Sequence, residues 1–384
     1  MALILHGTVS DNTAVLSRPS SKPIIINGNM AVAQRDGASV AALGDGDEGY
    51  VTVDRIRHTI GGTTAGRFTS TQEAVNDIPG FNESLNINCT TADTSIAAAE
   101  YFALEYRIEG QDLAHFAKGE TTAKPFTFAF YAKANAGFDF AVGFRDLDNA
   151  RHCSGALFTT TTGWTRHVIQ IPADTTGNFT NDNNESLRIS IILHAGSNFT
   201  EGTLATAWAG YNDANEAPGI DSIFSSTANF ISITGLQLEV GDYDVNSIPH
   251  FQYESYDENV ARCWRYFESC TGSGTNLIGQ GFLSDGSSRV ATLIGFHPKR
   301  ATPTVTSSAA GTFTGSQGVQ GGGVATGFIV KAWSNGTGAN SGIDAGLGHV
   351  HLDTSGHSNM TDGNICRVAN TNGTTAFIKC EAEI

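Results

Sequence analysis

The stretch Phe126-Thr127-Phe128-Ala129-Phe130-Tyr131-Ala132-Lys133 opens with a phenyl ring at every second position. Successive side chains alternate across a strand, so Phe126, Phe128 and Phe130 share one face, and that face must be core. Working outward, the same period of two recurs in Tyr50-Val51-Thr52-Val53-Asp54-Arg55-Ile56, in Ser84-Leu85-Asn86-Ile87-Asn88-Cys89, and at Phe102, Leu104, Tyr106 and Ile108. It recurs again over residues 138–145, 164–171, 187–194 and 230–240, with Gly, Asn, Asp or Pro clusters between the runs. Short alternating segments separated by turn residues exclude a parallel α/β winding. They predict a mainly β chain built as a two-sheet sandwich or jelly roll.

Composition agrees. At ~100–200 residues per domain, a chain of 384 residues holds roughly two or three domains. Its 44 Gly and 22 Phe against 3 Met suit strands and tight turns. Only 16% of residues are charged and 40% are hydrophobic, which excludes a disordered polymer, a coiled coil and a charge-laced helical bundle. The balance of 22 basic against 38 acidic residues gives a net charge of −16, which repels polyphosphate, so no nucleic-acid partner is expected. No run approaches the ~20 apolar residues of a membrane helix, and Met1 to Gly7 lacks a signal-peptide core, so neither membrane insertion nor a secretory leader is expected. The six cysteines are scattered without a CxxC and read as buried free thiols.

The chain divides into four parts. Residues 1–23 close on Ser17-Arg18-Pro19-Ser20-Ser21-Lys22-Pro23, which breaks any preceding element and marks an N-terminal arm. Residues 24–254 hold the jelly-roll strands. One helix is legible from Ser255 to Phe267, where Ser255 and Glu258 form a capping box and Asp257 and Glu258 sit at the positive end of the dipole. Val260, Cys263, Trp264 and Phe267 form its apolar stripe, so residues 255–270 are assigned as a linking helix with Trp264 in the core. Residues 271–384 then form a smaller C-terminal β-sandwich domain, with strands at 328–333, 349–352 and 377–384, the last placing Ile378, Cys380, Ala382 and Ile384 on one face. The run 311–327, nearly free of large side chains, reads as a long exposed loop.

Catalytic patterns are missing from the sequence. There is no G-x-S-x-G elbow, no P-loop and no strand-linked G-x-G-x-x-G. Glu105 with Glu109, and Asp285 near Ser287, are pairings that a chain of this length makes by chance, and a glycosidase needs two carboxyls at a defined separation. A non-enzyme is expected, with no cofactor required. For cations, Asp45-Gly46-Asp47-Glu48-Gly49 and Asp146-Leu147-Asp148-Asn149 gather hard oxygens that suit a structural Ca2+, although neither has EF-hand spacing; the alternative is solvated turns. His349-Val350-His351 puts two imidazoles on one strand face, with Asp353 in register and His357 beyond a Gly turn. The choice there is between a transition-metal site and solvated histidines.

Several ordered blocks resemble a known family. Ile26-Asn27-Gly28-Asn29-Met30-Ala31-Val32-Ala33-Gln34-Arg35-Asp36-Gly37 followed by Gly49-Tyr50-Val51-Thr52-Val53-Asp54-Arg55 is similar to the opening of tailed-bacteriophage and prophage tail-fibre-like virion proteins with a carbohydrate-binding-module-like sandwich. Arg107-Ile108-Glu109-Gly110, Phe128-Ala129-Phe130-Tyr131-Ala132-Lys133-Ala134, Gly235-Leu236-Gln237-Leu238-Glu239-Val240-Gly241 and Cys263-Trp264-Arg265-Tyr266-Phe267 follow in the family's order, so the resemblance spans Ile24 to Phe267. It implies a non-catalytic structural protein on the virion surface, made in the host cytoplasm, joined to other virion proteins by its arm and assembled as a homotrimer. In such trimers, His349 and His351 of three chains would surround an axial metal. The expected role is a tail-fibre or receptor-binding protein that contacts host surface glycan. The alternatives are a capsid-decorating or tail-adaptor protein without host contact, and a polysaccharide depolymerase.

Within that reading, Trp208-Ala209-Gly210-Tyr211-Asn212-Asp213-Ala214-Asn215-Glu216 is the best glycan loop, because it mixes aromatic faces with amides and carboxylates. Trp208, Tyr211, Asn212 and Asp213 are the candidate glycan contacts, and the alternative for Trp208 is a plug that closes one end of the sandwich. Deleting residues 1–23 is expected to leave a folded oligomer that no longer joins particles; an unfolded product in circular dichroism would refute the arm.

Overall fold

A computed structural model describes residues 22–35, 37–273, 277–285, 289–309, 312–316, 327–331, 349–355, 365–371 and 375–384. The chain forms two compact units, Met1–Val260 together with Ile384, and Ala261–Glu383. Every strand pairing described is antiparallel. Among the described residues, no helix is long and apolar enough to cross a membrane.

The strands of the first unit are β1 (Ser39–Leu43), β2 (Arg57–Gly61), β3 (Arg67–Ala74), β4 (Glu83–Thr91), β5 (Tyr101–Glu109), β6 (Phe126–Ala134), β7 (Asp139–Asp146), β8 (Arg151–Cys153), β9 (Leu157–Thr159), β10 (Thr165–Ile171), β11 (Glu185–Ala195), β12 (Ala209–Gly210) and β13 (Phe230–Val240). They make a jelly-roll sandwich of two sheets. The first runs β1-β3-β4-β13-β6-β10 and the second β12-β8-β7-β11-β5-β2, with β9 beside β7.

The Phe-rich strand β6 behaves as its alternation demands. Phe126, Phe128 and Phe130 are buried and meet the opposite sheet edge-on, Phe126 and Phe128 against Phe144 at 5.7 and 5.9 Å and Phe130 against Phe158 at 5.0 Å. Such T-shaped pairs add to the area they bury. Between Thr234 and Gln237 the ladder of β13 with β6 slips by one residue, and Gly235 carries the slip at φ +67°. A Cβ there would come within 2.8 Å of the Phe81 ring, so both the backbone angle and the space require glycine.

Tyr50 to Ile56, expected as a strand, is instead a folded loop. Arg55 sits at φ +73°, the Asp54 amide donates to Val32 O at 3.0 Å, and the Asp54 carboxylate accepts from the Gln34 amide nitrogen at 3.2 Å. The alternation of Val51 and Val53 thus came from a buried loop, and the strand begins two residues after Arg55. Asn27 closes the same corner from its side chain: its Nδ2 donates to Val32 O and Asp54 O, and its Oδ1 accepts from Val32 N, each at 2.9 Å.

The helix spans Tyr256–Cys263 and stops four residues short of the expected end. Its capping box is present: Ser255 Oγ accepts from Glu258 N at 3.2 Å, and Glu258 Oε2 accepts from Ser255 N at 3.4 Å. It ends where Phe267 becomes the first rung of a strand ladder opposite Glu381, a pairing that outweighs helical continuation. Trp264, expected in the core, is half-buried and stacks on the exposed His297 at 4.1 Å.

The second unit has strands β14 (Phe267–Ser273), β15 (Leu277–Asp285), β16 (Arg289–Gly295), β17 (Thr304–Ser307), β18 (Phe313–Ser316), β19 (Gly327–Lys331), β20 (His349–Ser355), β21 (Ile365–Asn370) and β22 (Thr375–Glu381). They form a three-stranded sheet, β14-β22-β17, and a six-stranded sheet, β18-β21-β15-β16-β20-β19. Ile278, Ile294, Phe296, Phe313 and Val368 pack with Ala376, Ile378 and Cys380 as its core. Two expectations change here. The run 311–327 is not loop throughout, because β18 lies inside it and buries Phe313 fully; residues 317–326 lie outside the described ones. The last strand stops at Glu381, although Ile378, Cys380 and Ala382 remain buried. Residues 1–21 of the expected arm also lie outside the described residues.

Five cysteines, Cys89, Cys153, Cys263, Cys270 and Cys380, are free thiols, and burial pushes Cys380 up to about 12. Because the two sheets of the first unit meet through β6, Phe128→Ala is expected to lower stability by about 3–5 kcal/mol, read as a shift of the urea unfolding midpoint.

Candidate functional site

In the second sheet of the first unit, alternation separates two chemistries. Phe102, Leu104 and Tyr106 of β5, Phe140, Val142 and Phe144 of β7, and Ile189, Ile191 and Leu193 of β11 belong to the sandwich core. The intervening residues face outward, and the register aligns them in rows across the sheet. Arg107, Arg188, Arg145 and His152 are successive partners on β5, β11, β7 and β8. Arg57, Glu105, Ser190 and Gly143 form the next row. Beyond it, Ala103, Ala141, Ile192, Ala195 and Ala217 pack with Tyr101, Phe199 and Ile220 as a separate apolar cluster, so apolar side chains cover one end of this face and charged ones occupy the other.

At the boundary lies a cavity of about 290 Å³. Tyr101, Phe199 and Tyr211 supply aromatic lining; Glu48, Glu105, Glu216, Arg145, Arg188, His152 and Ser190 supply polar groups. Gly143 leaves room within it, since a Cβ there would meet only Ile192 Cδ1 at 3.8 Å.

The charges are arranged, not scattered. Glu105, 2% exposed, accepts from Arg107 Nη2 at 2.6 Å and Nε at 3.0 Å, with Arg188 Nη1 at 3.7 Å and Arg57 Nη1 at 4.0 Å. Arg188 also donates to Glu185 at 2.6 Å, and Arg57 pairs with Glu48 at 3.1 Å. Burial works against the Arg188 charge, but Glu185 and Glu105 outweigh it and raise its pKa. Arg145 differs. Its guanidinium lies 3.6 Å from the Tyr211 ring centroid, and its buried Nε has no hydrogen-bond partner among the described residues. His152, 3% exposed, has a partner on neither ring nitrogen and meets the Tyr211 ring edge-on at 5.3 Å. Burial, then the Arg145 charge, lowers the His152 pKa, so the imidazole is neutral at pH 7. Burial raises Glu216, which is hydrogen-bonded to Tyr211, and burial followed by the Glu216 charge raises Tyr211. Tyr101 is raised for the same reasons in the same order.

The four expected glycan residues part company. Tyr211 lines the cavity. Asp213 is exposed and hydrogen-bonded to the Tyr211 hydroxyl. Asn212 caps a short turn, its Oδ1 accepting from Ala214 N at 3.3 Å. Trp208 packs against the sandwich core and donates from Nε1 to Pro172 O at 2.9 Å, with Lys118 Nζ 5.1 Å from its ring. That is the geometry of a plug.

The candidate cation loops have internal partners. Asp146 is fully buried and paired with Lys118 Nζ at 2.5 Å, Asp148 accepts from Thr180 N, Asp47 accepts from Gly44 N, and Glu48 pairs with Arg57. His349 and His351 lie on β20 opposite Gly295 and Leu293; their side chains are outside the described residues. Among the described residues no group of three or more His, Cys, Asp or Glu gathers that would hold a metal.

Sequence spacing missed most of the cavity. Arg145, His152, Arg188 and Glu216 come from separate elements, and only the outward positions of the alternating strands hinted at them. Spacing also hid a Ser–His–Glu chain whose His194 and Glu100 are buried: His194 bonds Ser222 Oγ at 2.7 Å and Glu100 Oε2 at 3.1 Å. None of the three lines the cavity, and Ser222 Oγ caps a turn by accepting from Phe224 N at 3.1 Å.

No family model matches this chain, and no curated protein matches it. Solved structures do. A family 11 carbohydrate-binding module of a cellulosomal cellulase from Clostridium thermocellum is 10% identical over 51% of this chain and 92% of that one, with a TM-score of 0.26. TmCBM61 in complex with β-1,4-galactotriose is 11% identical over 57% and 98%, with a TM-score of 0.27. A Stig cyclase from Fischerella sp. TAU is 8% identical over 59% and 100%, with a TM-score of 0.30. At these values the likeness identifies neither a family nor a ligand.

The raised tyrosines set an alkaline limit. The unfolded chain releases its phenol protons near pH ~10, whereas the fold retains those of Tyr101 and Tyr211. Their contribution to stability is therefore intact below about pH 10 and lost as pH rises beyond it. Ultraviolet titration is expected to show fewer than the nine tyrosines ionising before unfolding, and Tyr211→Phe should lessen the alkaline loss of stability.

Proposed function

We propose that this chain is a non-catalytic carbohydrate-binding protein whose site is the cavity on the outer face of the second sheet. One observation carries the reading: an aromatic-walled cavity of about 290 Å³ in which Arg145 Nε and both His152 nitrogens have no hydrogen-bond partner among the described residues. Its size lies at the lower edge of the ~300–1,000 Å³ of ligand pockets. Tyr101, Phe199 and Tyr211 line it with aromatic carbon that suits sugar CH groups, and the polar lining offers donors and acceptors for hydroxyls.

The finer reading follows from the family resemblance between Ile24 and Phe267. The protein sits on the exterior of a tailed-phage particle, attached through its N-terminal arm, and contacts host surface glycan as a homotrimer. A single shallow site binds weakly, but several copies on one particle raise the effective concentration, so weak contacts are enough for adsorption.

The test uses a bead-coupled panel of neutral and acidic oligosaccharides. Wild-type protein is expected to bind part of the panel without generating new reducing ends. Gly143→Val, whose Cβ would meet only Ile192 Cδ1 at 3.8 Å and whose methyl groups would occupy cavity space, should abolish binding and leave the melting temperature within a few degrees. No binding to any member would refute the proposal; accumulating reducing ends would make the protein a depolymerase.

A further inference from the structure

We propose that the sugar bound in this cavity is acidic, its carboxylate taken by the Arg145 guanidinium and the His152 imidazole; this rests on the carbohydrate-binding reading above. The ion pairs beside the cavity are already matched. Arg57, Arg107 and Arg188 find Glu48, Glu105 and Glu185 at 3.1, 2.6 and 2.6 Å. Arg145 has no hydrogen bond or ion pair with any described residue, and its guanidinium carbon lies 3.6 Å from the Tyr211 ring centroid. A guanidinium seated over a ring without hydrogen-bond partners has N–H donors to offer, and these grip a carboxylate through two parallel hydrogen bonds.

His152 is the second, independent observation. It is Arg145's direct partner across the β7–β8 ladder, lines the same cavity, is 3% exposed and has no partner on either nitrogen. A buried ring without a partner is out of place in a finished core, where polar groups are paired. As a neutral imidazole it offers one N–H donor and no charge.

The acidic groups nearby leave room for an anion. Glu105 is enclosed by arginines. Burial raises Glu216 while its hydrogen bond to Tyr211 and the Arg145 charge pull it back, and Asp213 stands exposed with its carboxylate engaged by the Tyr211 hydroxyl. Glu216 feels the Arg145 charge, but no described carboxylate forms an ion pair or hydrogen bond with that guanidinium, so its single charge suits a singly charged carboxylate and falls short of a doubly charged phosphate.

The test compares matched probes by calorimetry with the full chain: trigalacturonate against its methyl ester, sialyllactose against lactose and lactose sulfate, and a neutral and phosphorylated set beside them. The acidic sugar that binds is expected to be at least about tenfold tighter than its uncharged counterpart. Arg145→Gln should erase that preference and Arg145→Lys restore only part of it, while a melting temperature within a few degrees of wild type reports an intact fold. Equal affinity for charged and uncharged members, or preference for sulfate or phosphate, would overturn the acidic-sugar assignment and leave carbohydrate binding standing. Failure of every probe, neutral ones included, would remove both.

Discussion

The first unit depends on the burial of one sheet face against another. Phe126, Phe128 and Phe130 drive Phe144 and Phe158 into a shared interior, and in doing so commit every second residue of β5, β7 and β11 to the opposite side. A one-residue slip would exchange the two sets, so the register that protects the core also sets the row of arginines and glutamates outside. Fold and site are two faces of one alternation.

What happens on the outer face is decided by what covers it. An apolar cluster around Ile192 and Phe199 closes one end, and the guanidinium–carboxylate lattice around Glu105 stiffens the other. A buried carboxylate without cations would carry a heavy desolvation cost; three arginines offset it here and hold the side chains in place. The cavity is formed where the two treatments meet, with Gly143 providing the space. Half-buried Arg145 and buried His152 are set apart because the Arg145 Nε and both His152 nitrogens have no hydrogen-bond partner among the described residues, while the neighbouring arginines are paired.

Residues that carry the family resemblance are mostly scaffold in this structure. Asn27 knits Val32 to Asp54, Gly235 absorbs a ladder slip, and the Phe-rich block is the interior itself. Arg107 touches both roles, since it lies on the outward row and fixes Glu105. Resemblance in such blocks speaks to how the chain folds. The face that carries the cavity is built from positions between them.

The sequence alone determined the mainly β architecture, most strand positions and the capped helix start, because alternation, turn residues and capping are local and act through neighbours in the chain. It misread Tyr50 to Ile56, where a left-handed Arg55 and a buried Asp54 replace a strand, and overextended the helix, because Phe267 answers to Glu381 over a hundred residues away. It picked out Tyr211 but could not separate it from Trp208, since plug and binding surface look alike until the core is assembled. Only the tertiary structure decided that Arg145, His152, Glu105 and Glu216 share one cavity, because strand order and register, which no local pattern records, bring β5, the β7–β8 hairpin and the segment of Glu216 to the same sheet face.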